Sequence, residues 1–167
     1  MDKYALLLYV IKKLNNAGSW TGNTHIQKIV DLAQSKIGVD LYRFVIHHYG
    51  PYSFDLRDDL DLLVSGGYIE RRIDEYGYHY KLTEKGEKYL ASSTIESEVS
   101  EVIEKLAKIF GKAPTIVLEL IATIDYVHSK LGKEKEDEVV DTVRKIKPHF
   151  SEEIVREALR WWKSKIV

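Results

Sequence analysis

The chain has 167 residues and a formal net charge of −1, with 25 Lys and Arg against 26 Asp and Glu. This length is enough for one hydrophobic core, or for a small domain with a helical appendage. The balanced charge gives no overall attraction to nucleic acid or anionic lipid, and the absence of cysteine excludes disulfides, thiolate metal sites and a cysteine nucleophile. Few Asn, Gln and Met residues beside many Lys, Glu and Ile are typical of thermophilic proteins.

The amino terminus has neither a secretion signal pattern nor a membrane-spanning pattern. Residues 4–10 are apolar, but Lys12 and Lys13 follow too soon for a membrane span. We therefore expect a soluble, cytoplasmic protein without a membrane partner.

Three helices and one strand are predicted before residue 66. Apolar periodicity and the choice of residues place the helices at about 3–14, 24–37 and 53–65, and the strand at 44–49. Thr24 and Gln27 have the spacing of a capping box at the start of the second helix. Because Pro51 has a fixed φ and no amide hydrogen, Gly50-Pro51 is expected to end the strand. Ser53 is expected to cap the third helix.

The segment after residue 67 has the pattern of a β-hairpin. Tyr68–Ile73 and Tyr78–Leu82 alternate in polarity and flank a turn at residues 74–77 that ends with Gly77. Thr83 offers a hydroxyl that can cap a further helix. A helix that ends at glycine is followed by a hairpin and then by another helix, and this order resembles a winged-helix domain. The resemblance implies a non-enzymatic module that binds DNA or protein.

Residues 93–167 show only helical patterns. Four helices are predicted there, at about 99–110, 115–131, 136–147 and 151–166. Small polar residues at 92–94 mark a boundary between the two halves. The predicted fold class is therefore α+β and mostly α: an atypical winged helix of three helices plus a β-hairpin wing at residues 1–91, followed by an all-helical domain at 93–167.

The most distinctive segment of the chain runs from His48 to Ser53 and reads HYGPYS. It is followed at fixed spacings by Leu56, Asp59, Leu60, Leu63 and Gly67-Tyr68-Ile69. This pattern resembles that of YwgA-like proteins and of the SocA-like antitoxin (Panacea) family, over roughly residues 1–90. The resemblance implies a small cytoplasmic regulator whose partners are proteins; SocA-like members neutralise a toxin or hand it over. The helical second half is not part of the matched pattern.

A protein partner is expected to contact aromatic and acidic side chains of both halves. The candidates are tyrosines of the distinctive segment and of the hairpin, acidic residues of the third helix and a tryptophan beside the apolar stripe of the last helix: Tyr49, Tyr52, Tyr78, Asp55, Asp58, Asp59 and Trp161. Aromatic side chains with a polar group suit protein interfaces. Each group of candidates also has a structural interpretation. The tyrosines of the distinctive segment would form a strand-to-helix corner, and the hairpin tyrosine would pack within the hairpin. The acidic residues near the helix start would stabilise the helix dipole, and the tryptophan would lie at the edge of the core.

DNA binding by a dimer is the alternative function. From residue 53 to 65 the third helix carries a net charge of −3, and the connector before it has about fifteen residues, so this helix does not suit the major groove. DNA would instead meet the wing, through Arg71, Arg72, His79, Lys81 and Lys85, with Arg57 of the third helix as a further candidate. A solvent-facing surface balanced by nearby acidic residues is the other interpretation of these cations.

The sequence predicts neither an enzyme nor a cofactor. His47 and His48 are neighbours on the predicted strand and face opposite sides, so they do not suit joint ligation of a metal. The chain has no phosphate-binding loop, dinucleotide fingerprint or nucleophile elbow. A homodimer through the C-terminal helices is expected by analogy with PadR-type regulators, which carry a helical extension on a winged helix.

Overall fold

Helices account for most of the chain in the computed structural model, which describes residues 1–48 and 50–166. In chain order the elements are α1 (Lys3–Asn16), α2 (Asn23–Ile37), β1 (Val45–His47), β2 (Gly50–Tyr52), α3 (Phe54–Ser65), β3 (Ile69–Asp74), β4 (Gly77–Leu82), α4 (Glu84–Ala91), α5 (Ser97–Phe110), α6 (Thr115–Ser129), α7 (Glu136–Ile146) and α8 (Glu152–Lys165). The predicted class, α+β and mostly α, is confirmed. Within this described part, no helix combines the length and apolar character that crossing a membrane requires.

Side-chain caps begin α3, α4 and α8 at the residues that the sequence predicts. The hydroxyls of Ser53, Thr83 and Ser151 each accept a hydrogen bond from the backbone N–H three residues later. These caps satisfy amide groups that have no partner within the helix. The starts of these three helices are therefore fixed by local chemistry.

The start of α2 differs from the prediction. The capping box at Thr24 and Gln27 is wrong, because α2 begins at Asn23 and the N-cap position is Gly22, which has no side chain. The Gln27 amide bonds instead to the backbone of Ser53, with both bonds at 2.9 Å. A distant partner has replaced the local one.

A short hairpin lies between α2 and α3, where a single strand is predicted. β1 and β2 pair antiparallel, with Ile46 opposite Pro51 and His47 opposite Gly50. The prediction that Gly50-Pro51 ends the strand is therefore wrong. Both strands of such a ribbon are edge strands, and an edge tolerates the missing N–H of proline. Tyr49, the last residue of the predicted strand, lies outside the described residues.

β3 and β4 form the predicted long hairpin. Asp74 lies opposite Gly77, and the Asp74 carboxylate accepts the N–H of Tyr76 at 2.8 Å within the turn. Gly77 has a φ of +110°, a conformation that glycine adopts without steric cost. α4 follows directly, as the cap at Thr83 predicts. Within the described part of residues 1–91, the element that the sequence did not predict is the short hairpin.

One hydrophobic core joins the two halves of the chain. α1 and α2 pack against α5, and α2 also packs against α6, which in turn contacts α7 and α8. The buried apolar residues of both halves belong to a single cluster. α2 is buried on all sides from His25 to Gln34, although an amphipathic stripe is predicted there. The division into a domain at 1–91 and a second domain at 93–167 stays a prediction.

Candidate functional site

Polar side chains of α2 hold the connector between α2 and α3 in place. Besides the Gln27 bonds to Ser53, the Lys28 ammonium donates to the Pro51 carbonyl at 2.6 Å. The Gln34 amide donates to the Tyr42 carbonyl at 2.9 Å and accepts the Tyr42 N–H at 2.7 Å. Gln27, Lys28 and Gln34 are all buried. Pro51 and Ser53 of the distinctive HYGPYS segment are therefore held by hydrogen bonds to a buried helix.

Ionisable groups are buried behind this connector. Burial raises the pKa of Asp31 to about 8 and lowers the pKa of Lys28 to about 8. Burial also raises the pKa of Asp125 to about 6. Oδ2 of Asp31 has no hydrogen-bond partner in the described part of the chain, while Glu119 and Lys147 form an ion pair at 2.8 Å. Burial thus favours the neutral form of both Asp31 and Lys28.

Tyr52, a predicted partner-binding residue, lies in an aromatic cluster at the end of the short hairpin. The ring centroid of Tyr52 is 5.3 Å from that of His47 and 5.2 Å from that of Phe54. The guanidinium of Arg57 lies over the Phe54 ring at 5.0 Å and pairs with Asp58 at 3.2 Å. Tyr49, the other tyrosine predicted here, lies outside the described residues.

The three acidic candidates of α3 have different environments. Asp55 and Asp58 are exposed, whereas Asp59 is buried. The Asp59 carboxylate accepts the Tyr42 hydroxyl at 2.7 Å and pairs with Lys3 at 3.1 Å. Burial and this hydrogen bond raise the pKa of Tyr42. Asp59 therefore ties α3 to α1 and to the connector, and only Asp55 and Asp58 face solvent.

Most of the cationic candidates near the long hairpin already have partners. Arg71 pairs with Asp61 at 2.5 Å, and Arg72 pairs with its strand neighbour Glu70 at 3.0 Å. The Lys85 ammonium donates to the Gly66 carbonyl at 2.7 Å. Lys81 is exposed and lies opposite Glu70 in the strand register. These contacts neutralise or occupy the charges that the sequence assigns to DNA.

Apolar and aromatic side chains are exposed at the end of the long hairpin. They are Tyr76, Ile73, Tyr78 and Trp20, with exposures of 78%, 68%, 50% and 42%, and we call them the aromatic tip. Ile73 faces Tyr78 across the strands, and the Trp20 ring meets Tyr76 edge-on at 5.9 Å. Trp20 also stacks on His79 at 4.2 Å. Tyr78 and His79 are predicted site residues, whereas Trp20, Ile73 and Tyr76 are not among them.

The backbone beside Trp20 is held in an unusual conformation. Thr21 has a φ of +56°, which is rare for a β-branched residue. Its carbonyl accepts the Tyr80 N–H at 3.0 Å, and its hydroxyl accepts a hydrogen bond from Asn15 at 2.9 Å. These bonds attach the α1–α2 loop to β4 and fix the position of Trp20 on the hairpin. Strained residues of this kind cluster at functional sites.

A second apolar surface lies beside Trp161, between the end of α5, the start of α6, and α8. Its groove has a volume of about 760 Å³, and we call it the C-terminal groove. Trp161 is half-buried and meets Phe110 edge-on at 5.7 Å. Ile116, Val117 and Ile154 line the groove and are exposed. Trp161 therefore lies at the edge of the core and at the wall of this groove.

No cluster of three or more His, Cys, Asp or Glu residues that would suit a metal ion occurs among residues 1–48 and 50–166.

No protein-family model matches the chain. The chain is similar to YwgA, an uncharacterized protein of Bacillus subtilis (strain 168). The two are 26% identical over 158 residues, which cover 91% of each chain. The expected resemblance to YwgA is thus confirmed, and it extends into the helical half because 158 aligned residues reach well past residue 90.

Proposed function

We propose that this chain is a cytoplasmic, non-enzymatic regulator or adaptor that binds another protein through the aromatic tip. The observation that carries the proposal is the exposure of four large side chains, Trp20, Ile73, Tyr76 and Tyr78, at one end of the hairpin. Tryptophan and tyrosine are enriched where protein interfaces gain most of their binding energy. Adjacent exposed apolar side chains on a soluble domain favour an interaction site.

The order of elements supports a winged-helix assignment for residues 1–91. Helices α1, α2 and α3 precede the long hairpin, which takes the place of the wing, and α4 follows it. The domain is atypical because the short hairpin occupies the connector between α2 and α3, where DNA-reading domains have a short turn. Within this proposal the wing binds protein, in keeping with the resemblance to SocA-like proteins, whose partners are proteins. The proposal assigns no catalytic residue, metal or cofactor to the chain.

DNA binding by a dimer is the alternative, and the environment of the cations favours it less. Arg57, Arg71 and Arg72 each pair with a carboxylate, so DNA contact requires breaking these ion pairs. Affinity for DNA depends on cations that are free to neutralise phosphates. His79 is stacked against Trp20, which suits a role in supporting the aromatic tip.

Photo-crosslinking tests the surface first. A photo-crosslinking amino acid at position 76, in the full chain expressed in its source cells, is expected to capture a discrete protein. The same amino acid at Leu131, an exposed apolar position in the other half, is the control and is expected not to capture it.

Binding of the purified partner then decides between the alternatives. The double variant Ile73→Ser/Tyr76→Ser is expected to weaken the Kd at least about tenfold, because hot-spot residues are removed. Leu131→Ser is expected to leave the Kd unchanged. Equal binding by both variants would refute the assigned surface. Salt-dependent binding of random duplex DNA that Lys81→Ala weakens would favour the DNA alternative instead.

A further inference from the structure

A small cavity lies at the corner where the start of α2, the short hairpin and the start of α3 meet. Its volume is about 240 Å³, and we call it the corner cavity. One side is formed by the aromatic cluster of Tyr52, His47 and Phe54. Asn23, Thr24, Lys28 and Arg57 complete the lining. An apolar wall thus faces a set of hydrogen-bond donors, and the lining includes no carboxylate.

Lys28 gives this cavity a buried positive charge. Lys28 is 1% exposed, and its ammonium donates a hydrogen bond to the neutral Pro51 carbonyl. Asp31 and Glu119 raise the pKa of Lys28, but burial outweighs them and lowers it to about 8, and Glu119 also pairs with Lys147. Burial of this cation is therefore costly, and a bound anion would stabilise it.

The other donors of the corner cavity suit an anion with several oxygens. Arg57 has about half of its side chain exposed and pairs with the exposed Asp58 at 3.2 Å. A bound anion would have to replace Asp58 at this guanidinium, which can bind two oxygens at once. Thr24 adds a hydroxyl and Asn23 an amide. α2 also begins here, and its N-cap residue, Gly22, leaves the first amide groups without a side-chain cap. Free amides and the positive end of the helix dipole favour negative charge.

We propose that the corner cavity binds the phosphate group of a small organic phosphate. The ammonium of Lys28, the guanidinium of Arg57 and the hydroxyl of Thr24 bind the phosphate oxygens. The rings of Tyr52, His47 and Phe54 contact the organic part, for which the volume of the cavity leaves room. The ligand would stabilise the connector that α2 holds, and the site is separate from the aromatic tip.

Titrations followed by NMR test this proposal with two probes, inorganic phosphate and phenyl phosphate. We expect both to shift the resonances of the His47 ring and of the amides of Asn23 and Thr24. Phenyl phosphate is expected to bind about tenfold more tightly, because its ring contacts the aromatic wall. Equal affinities would indicate that free phosphate is the ligand and would overturn the organic part of the proposal.

Substitutions of the lining residues test whether the two probes bind in the corner cavity. Arg57→Gln is expected to weaken both probes about tenfold, since a charge-assisted hydrogen bond is lost, and Phe54→Leu to weaken phenyl phosphate alone. Arg72→Gln removes a similarly exposed arginine from the long hairpin and is the matched control, with no expected change. Lys28→Met is expected to abolish binding, provided that circular dichroism shows a folded protein. Unshifted resonances, or equal effects of Arg57→Gln and Arg72→Gln, would refute the site.

Discussion

Individual buried polar residues determine how α2 supports the candidate sites. Lys28, Asp31 and Gln34 lie three positions apart, and Gln27 directly precedes Lys28, on a helix whose other residues in that stretch are apolar. Three of them bond to backbone groups between residues 42 and 53. The sequence shows these polar interruptions, but it does not name their partners. Those partners come within reach only when the connector folds back onto the helix.

Asp31 is expected to make the protein less stable as the pH rises from about 4 to about 8. Its pKa is about 8 in the folded chain against an ordinary 3.8, so in this range the folded state holds a proton that the unfolded state has released. The free energy of unfolding therefore falls with pH. Asp31→Asn should stabilise the protein by about 2–4 kcal/mol at pH 8, and by almost nothing near pH 4.

Urea unfolding of wild type and Asp31→Asn across this pH range checks the prediction. Asp141→Asn replaces an exposed carboxylate of α7 and serves as the control, with the same pH dependence as wild type. A variant that is less stable than wild type at pH 8 would mean that Asp31 is ionised and held by its surroundings.

At the scale of elements, prediction from sequence works where the stabilising contact is local. The caps of α3, α4 and α8 join residues three positions apart, so the sequence contains both partners. The predicted role of Gln27 fails for the opposite reason, because it bonds to Ser53, twenty-six positions away. Pro51 has a nearer partner, Ile46, and its pairing depends on the chain turning back into the short hairpin.

The docking of α4 depends on a glycine inside the helix. A Cβ atom at Gly86 would overlap the carbonyl oxygen of Tyr68, just before β3. Alanine favours a helix over glycine by about 1 kcal/mol, but the overlap is expected to outweigh this gain. Gly86→Ala should lower the free energy of unfolding by about 1–3 kcal/mol.

Chemical denaturation of Gly86→Ala, with Lys88→Ala as the control, tests whether the overlap outweighs the gain in helix propensity. Lys88 is exposed on the same helix, so its replacement should change the free energy of unfolding by less than about 0.5 kcal/mol. A stabilised Gly86→Ala variant would show that α4 does not pack as closely as described.

On the scale of the whole molecule, two exposed apolar surfaces lie on different halves of the chain. The aromatic tip combines side chains of the long hairpin with Trp20 of the α1–α2 loop, and the C-terminal groove lies between α5, α6 and α8. Because the halves share one core, both surfaces belong to the same packed body. Under the proposed function, the tip would bind the protein partner, and the groove is where we expect a second copy of the chain.

The homodimer can be tested at Ile154, which is 49% exposed in the wall of the C-terminal groove. Light scattering after size exclusion should give twice the chain mass of 19.3 kDa for wild type. Ile154→Asp should give the monomer mass, because a buried carboxylate opposes association. Leu62→Asp, at an exposed position of α3, should remain a dimer. A monomeric wild type at high concentration would refute this association.

The sequence by itself determined the helices, the long hairpin, most helix starts and the resemblance to YwgA. Each of these depends on periodicity, turn residues or motifs that are continuous along the chain. Tertiary structure decided the rest: the pairing of Pro51 within a hairpin, the burial of Asp59, the ion pairs of Arg71 and Arg72, and the exposed group of Trp20, Ile73 and Tyr76. Burial and charge pairing depend on which distant segments meet, and no local pattern records that.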